Sequence, residues 1–208
     1  MADVVVQSSP LEVAAQPLLE ALVLEYDGRY GALSRPGGAR SEILRYPAEA
    51  YRPPLGDFLL LLRDGETVGG GAFMSHDDDT VELKRIWTRA DLRRQGLARR
   101  IVQALEDSAA RLGYTRAYLT TGFRQPEATA LYVSLGYRRL FDASVDPALY
   151  RSLPFEKLIG TREGEEGDSH VHAPAASFEE ATARVTALKA EQERRVIARL
   201  SGHSATAA

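Results

Sequence analysis

Cysteine is absent from this chain of 208 residues. That excludes disulfides, thiolate metal sites and a cysteine nucleophile. Long apolar runs are missing too, and none approaches the ~20 residues of a membrane-spanning helix. The opening MADVVVQSSP has no basic segment followed by an apolar one, so no signal peptide is expected. Charge of one sign is not in excess: the formal net charge is -3. Any basic patch has to be local, and neither nucleic-acid nor membrane binding is expected. With 44% hydrophobic residues the composition is globular. The expectation is a cytoplasmic protein.

What is present falls into recognisable elements. DVVVQ at 3–7 reads as a strand. Ser9, Pro10 and Glu12 have the pattern of a capping box opening a helix. Leu11, Ala15, Leu18, Leu22 and Tyr26 then recur at helical spacing, and Asp27-Gly28 is the expected stop. RYGALSRPGGAR reads as a loop, and a short helical piece is expected near 42–51, interrupted by Pro47. After Pro53-Pro54, a strand, an Asp64-Gly65 turn and a second strand follow. Gly69-Gly70-Gly71 lies inside that strand, where close packing or a bulge is the natural reading. TVELKRIWT is a third strand. Residues 97–112 form a helix stopped by Gly113, TRAYLTT a strand, and QPEATALYVSLG a helix with Pro126 first and Gly136 past its end. YRRLFDA and LPFEKLI read as the last strands. The expected organisation is a domain over 1–160, a flexible linker over 161–176 poor in large apolar residues, and a C-terminal helix and tail over 177–208. Ser177 and Glu180 would cap that helix, with Phe178, Val185, Leu188 and Val196 as its thin apolar stripe.

The most informative stretch is RADLRRQGLARR, where arginines crowd one glycine at the start of a helix. A helix N-terminus leaves about four N–H groups without partners, and its dipole attracts anions. Gly96 lets a ligand approach the backbone, Ala98 keeps the next turn small, and Arg93, Arg94, Arg99 and Arg100 add charge. The other reading is a helix end with solvated arginines. Neither a Walker A loop nor a dinucleotide fingerprint is present.

RRQGLA at 93–98 resembles the [RQ]-x-x-G-x-[GA] motif of the GNAT superfamily of acyl-CoA-dependent N-acyltransferases. VELKRIWT resembles that family's fourth strand, and QPEATALYVSLGY its second signature helix. The resemblance spans roughly 3–159. It implies an α/β fold of α+β type, with a mixed, mostly antiparallel sheet flanked by helices and carrying a C-terminal helical extension. It implies that Arg93, Arg94, Gln95, Gly96, Leu97, Ala98 and Arg99 hold the pyrophosphate of acetyl-CoA. The pantetheine arm would pair with the main chain at Ile86, Trp87 and Thr88. Gln125 stands where many members carry asparagine.

Acetyl transfer to an amine needs a base, because an alkyl ammonium with pKa ~10 is not nucleophilic at neutral pH. It also needs oxyanion donors and a proton for the thiolate. Glu82 matches a glutamate of many relatives and is the candidate base; its alternative is an ion pair with Lys84 or an arginine. Tyr132 matches the family tyrosine near the thioester sulfur and is the candidate acid; its alternative is core packing. Arg29, Tyr30 and Arg124 are weaker candidates for acceptor contacts. The Asp77, Asp78, Asp79 run reads as a solvated turn, His170 and His172 lack further ligands, and no metal is expected. The expected activity is acetylation of a small-molecule primary amine by direct attack in a ternary complex. A non-catalytic acyl-CoA-binding module and a protein amine acceptor are the alternatives. A homodimer is compatible with the thin stripe of the tail.

Overall fold

Asp64 and Gly65, both left-handed at φ 54° and 84°, close the hairpin between β2 (Gly56–Arg63) and β3 (Glu66–Ser75). The computed structural model, which describes residues 3–33 and 37–206, builds outward from this hairpin. β1 (Val4–Gln7) adds to one edge, and β4 (Thr80–Thr88) to the other through the acidic turn. There Asp77 Oδ1 accepts from the amides of Asp79 and Thr80. After helix α1 (Gln16–Tyr30) and the short α2 (Gly38–Ile43) on one face, α3 (Leu97–Arg111) covers the other. β5 (Arg116–Gly122), α4 (Pro126–Ser134), β6 (Arg138–Arg139) and β7 (Ser152–Leu158) complete the domain, and α5 (Phe178–Thr206) ends it. Among the described residues the sheet has seven strands in the order β1-β2-β3-β4-β5-β7-β6, antiparallel except for β4 beside β5.

Two apolar clusters sandwich the sheet. Leu59, Leu61, Phe73, Val81, Leu83 and Phe155 meet Ile101 and Leu105 of α3. Phe58, Leu60, Ala72, Met74 and Trp87 meet Leu18, Leu19 and Leu22 of α1. The glycine triplet of β3 lets both helices come close, as its position in a strand implies. A Cβ at Gly69 or Gly70 would lie 2.6 Å from the side chain of Ile101 or Leu18. Opposite it, β4 carries a bulge: Gly70 pairs with Trp87 but Ala72 with Lys84, so β4 holds one residue more. Arg85, within the bulge, is left-handed at φ 59°, a conformation one class of bulge uses.

Several boundaries differ from the sequence expectation. Ser9 does not cap α1; its hydroxyl accepts from the Leu11 amide in a local turn, and the helix begins at Gln16 with Pro17 in its first turn. Leu11 is therefore exposed, and α1 runs past Gly28 to Tyr30. The expected helical piece at 42–51 divides into the end of α2 and a 3-10 turn at Ala48–Tyr51, on either side of Pro47. Of the loop expected over 29–40, residues 34–36 lie outside the described residues. β6 shrinks to two residues.

The segment 161–176 runs along the β6–β7 edge. Ser169 Oγ donates to Glu156 at 2.5 Å and accepts from Arg116 at 2.7 Å, and the His172 amide donates to Leu140 O at 2.8 Å. α5 then crosses the α1 face. Lys189 donates to Glu42 at 2.6 Å, the Tyr46 hydroxyl to Gln192 at 2.8 Å, and Arg45 to Glu193 at 3.1 Å. Val196 and Ala181 are buried, but Leu188 is 61% exposed, because the docked face of this helix is largely polar. Glu180 accepts from the Ala176 amide and Ser177 from the Glu180 amide, a shifted version of the expected capping box. Among the described residues no helix is long and apolar enough to cross a membrane.

Candidate active site

β4 and β5 run side by side only from Thr80 to Leu83, where they face Arg116 to Leu119. Beyond that point each keeps its outer neighbour. β4 stays on β3 as far as Thr88 opposite Gly69, and β5 stays on β7 as far as Gly122 opposite Ser152. The two strands therefore part, and residues 84–88 turn a main-chain edge toward a wedge. An added strand finds donors and acceptors on such an edge. Ile86, Trp87 and Thr88 lie along it. The bulge at Arg85 sends Ile86 toward the α3-side cluster and Trp87 toward the α1 side.

Glu82 sits at the closed end of the wedge, opposite Met74 on β3 and Tyr118 on β5. It is only 3% exposed. Four carboxylates are buried among the described residues, and three are fully engaged. Asp57 accepts from Gln7, its neighbour's amide and Ser108. Glu106 accepts from Tyr137 and Lys157, and Glu156 from Arg116, Arg138 and Ser169. Glu82 differs. Its Oε1 accepts from Lys84 Nζ at 2.7 Å, while its Oε2 is buried with no partner. Leaving a buried polar atom unpaired costs about 1–3 kcal/mol, so such an atom marks a place where a ligand's donor fits. The pairing with Lys84 that the sequence suggests is present on Oε1, and Oε2 is left open.

The glycine turn lies at the open end. Arg94 (φ 64°) and Gly96 (φ 77°) are both left-handed, and no side chain caps α3. Left-handed residues before a helix fold the N–H groups of Gln95, Gly96, Leu97 and Ala98 into an anion-binding concavity. A Cβ at Gly96 would meet nothing within 4 Å, so the glycine leaves the space before the amides open. The arginines are not equivalent. Arg93 reaches Glu25 of α1 at 3.2 Å, Arg99 reaches Ser134 of α4 at 3.3 Å, and Arg100 pairs with Asp3 at 2.7 Å. Arg94 has neither a hydrogen bond nor an ion pair among the described residues, and Arg99 has hydrogen bonds but no ion pair. Gln95 accepts from Arg63 at 3.1 Å.

Tyr132 packs against Tyr137 and Phe155 with ring centroids 5.7 and 5.8 Å away. It belongs to the α3-side cluster, whereas Glu82 shares the opposite face with Tyr46, over whose ring Lys84 Nζ lies at 5.2 Å. Burial pushes the Tyr132 phenol well above its ordinary pKa, so it stays protonated far beyond neutral pH. Gln125 folds back on β5: its Oε1 accepts from the Thr121 hydroxyl and the Gly122 amide, both at 3.0 Å. Arg29 donates to Arg124 O and pairs with Glu25 and Glu127; Arg124 donates to Arg29 O. Both guanidinium groups are thus tied to the protein. Tyr30 lies so close to Gly122 that a Cβ there would sit 1.8 Å from its hydroxyl, which gives this glycine a packing reason.

Sequence reasoning missed three neighbours of Glu82. These are His76, whose ring centroid is 5.2 Å from that of Tyr118, Tyr118 itself, and the face of α5 that holds Gln192 and Arg195. The two-residue period of β3 and β4 puts His76 and Glu82 on one face, but only the pairing of Met74 with Glu82 makes them neighbours. A separate cleft between β1, β2 and α3 is lined by Asp57, Ser108 and Arg111, and its buried acid is already satisfied.

Residues 20–137 match the model of the acetyltransferase (GNAT) family. An uncharacterized N-acetyltransferase, YjgM of Escherichia coli (strain K12), is 25% identical over 134 residues, 62% of this chain and 80% of that protein. The N-acetylaspartate synthetase of Danio rerio is 33% identical over 113 residues, 52% of this chain and 40% of that protein. Among solved structures, a GNAT family acetyltransferase from Elizabethkingia anophelis with acetyl-CoA bound superposes with a TM-score of 0.54. It is 15% identical and covers 76% of this chain and 98% of that one. The matched residues hold the wedge, the glycine turn and the whole of α4, the signature helix, and on that ground the chain belongs to the GNAT family of acyl-CoA-dependent N-acetyltransferases.

Proposed function

We propose that this acetyltransferase moves the acetyl group of acetyl-CoA to the primary amine of a small molecule, by direct attack in a ternary complex. The observation that carries the reading is the half-satisfied carboxylate of Glu82, buried where β4 and β5 part. A substrate ammonium donates to Oε2 and gives up a proton there, directly or through a water. The freed lone pair attacks the thioester carbon, a main-chain amide near Trp87 meets the oxyanion, and the C–S bond breaks as the nitrogen gives its second proton to the leaving thiolate. Tyr132 donates to the leaving sulfur from the other face. The cofactor's pyrophosphate rests on the amides of 95–98 with Arg94 beside it, while Arg93 and Arg99 brace the turn against α1 and α4. When bound, acetyl-CoA supplies the activated acetyl group. The pantetheine pairs with the free edge at Ile86, Trp87 and Thr88.

Two facts support a small acceptor over a protein amine. α5 lies across the face that Glu82 occupies, held by Gln192 and Lys189, and narrows the approach to the base. The Danio rerio relative is named for an N-acetylated small molecule. The reading is tested with a panel of amines and acetyl-CoA, following release of free coenzyme A. Turnover with small amines and none with peptide N-termini or lysines is expected. Release with peptides alone would transfer the acceptor to proteins.

A further inference from the structure

Glu82 raises a problem that its own geometry does not solve. A buried carboxylate that takes a proton in each turnover has to return it to solvent. Glu82 is only 3% exposed and its Oε2 is buried, so bulk solvent does not lie against that oxygen. Lys84 Nζ donates to the other oxygen, Oε1, and is not placed against Oε2.

His76 stands next to it. Met74 pairs with Glu82, and the His76 amide donates to Thr80 O at 2.9 Å, so residues 74, 76, 80 and 82 lie on one face of the β3–β4 ladder. Diagonal neighbours on such a face have Cβ atoms within about 7–8 Å of each other. The His76 ring packs on Tyr118, the residue that faces Glu82 from β5. Its Nδ1 is buried and has no partner, as Glu82 Oε2 has none. A carboxylate oxygen and an unprotonated ring nitrogen are both acceptors and cannot bond to each other. A water molecule has two donors and can serve both. His76 is only half-buried, at the end of β3, so its other edge reaches solvent.

We propose that His76 is the proton-relay residue of this acetyltransferase, carrying the proton that Glu82 takes from the amine out to solvent through a bridging water. This rests on the reading of Glu82 as the base. In the step, the O–H bond on Glu82 Oε2 breaks as a new O–H bond forms on the water. The water gives its other proton to Nδ1, the imidazolium turns about its Cβ–Cγ bond and releases that Nδ1 proton to solvent, and the ring returns with its Nε2 proton kept. Glu82 ends as carboxylate and His76 as neutral imidazole, ready for the next amine.

The surroundings fit a group that must be neutral at rest. Burial pushes the His76 pKa down; Glu82 of β4 and Asp77 of its own turn oppose this, and Arg195 of α5 and Arg116 of β5 add to it. Tyr118, the other titratable group against the ring, is held neutral by burial.

The test compares wild type, His76→Gln, His76→Ala and Glu82→Gln, at pH 6 to 9, with the best amine of the panel. Both His76 variants should keep acetyl-CoA affinity and melt within a few degrees of wild type. Their kcat should fall by roughly 10²-fold at neutral pH, the low end of proton-transfer catalysis. Free imidazole in the buffer should restore much of the rate to His76→Ala and none to Glu82→Gln. Wild-type kcat in His76→Gln across the pH range overturns the relay. So does a loss in His76→Ala that imidazole leaves untouched. A Glu82→Gln variant that is dead while the His76 variants turn over normally removes the relay and keeps the base. A wild-type chain that releases no coenzyme A with any amine overturns the proposed function and the relay with it.

Discussion

Arg29 and Arg124 hold one another by the main chain. Arg29 Nη1 donates to Arg124 O at 2.5 Å, and Arg124 Nη1 donates to Arg29 O at 2.7 Å. The exchange ties the end of α1 to the corner between β5 and α4, at the rim of the wedge. Arg29 and Arg124, weak candidates for acceptor contacts in the sequence, are joined here as a clasp. Arg29→Ala is expected to lose about 1–2 kcal/mol of stability, a Tm drop of roughly 2–8 °C. The KM of the acceptor should move little. A thermal melt with steady-state kinetics checks both, and an unchanged Tm with a large rise in KM would restore the substrate role.

Replacing Glu82 by Gln keeps its shape and removes the proton acceptor. Turnover at neutral pH should fall by roughly 10²-fold or more, with acetyl-CoA affinity unchanged, because that ligand lies along the free edge and the glycine turn. Calorimetric titration with acetyl-CoA beside the rate measurement separates binding from chemistry.

Gly96→Glu should abolish acetyl-CoA binding and leave the fold. The added Cβ has room, so the cost to the protein is that of a left-handed non-glycine residue, about 1–2 kcal/mol. The new carboxylate occupies the anion site itself. Near-native affinity by calorimetry would remove the turn from the cofactor site.

Tyr132→Phe tests the acid. The phenyl ring keeps the contacts with Tyr137 and Phe155, and only the hydroxyl is lost. A fall of ten- to a hundredfold in kcat and kcat/KM together is expected, near the low end of acid catalysis, with Tm within a few degrees. Wild-type turnover, with chemistry rate-limiting, would leave this tyrosine a packing residue.

The docking of α5 should depend on acid pH. Burial alone would raise the Glu42 carboxyl, but Lys189 and Arg45 outweigh it and hold it down to about 2. A depressed carboxylate contributes stability above its unfolded value, near 4.5, and loses it as pH falls toward 2. Protection of the amides in 178–206, taken relative to the intrinsic exchange rate at each pH, should therefore fall between those limits and be highest at neutral pH. Glu42→Gln should show the lowered protection already at pH 7. Full protection in that variant would mean that Val196 and Gln192 hold the helix without the ion pair.

The local elements were largely written in the sequence, because each rests on neighbours a few residues apart. Asp64-Gly65, Gly113, Pro126 and Gly136 punctuate the chain where their backbone conformations demand, and the apolar spacing of 97–109 needs only a helix to face the core. The glycine turn was legible for the same reason. Interactions between distant segments were not. That Oε1 of Glu82 is taken and Oε2 is free follows from a ladder joining β3, β4 and β5. That three of the four arginines at the turn are tied to Glu25, Ser134 and Asp3 follows from how α1, α4 and β1 close around it. The tail shows the division most plainly. Its composition predicts a helix after a polar stretch, but where that helix lies depends on Glu42, Tyr46 and Arg45, far upstream. A thin apolar stripe says little about a face that docks through charges and hydrogen bonds, since such contacts have no period in the sequence and exist only once the chain has folded.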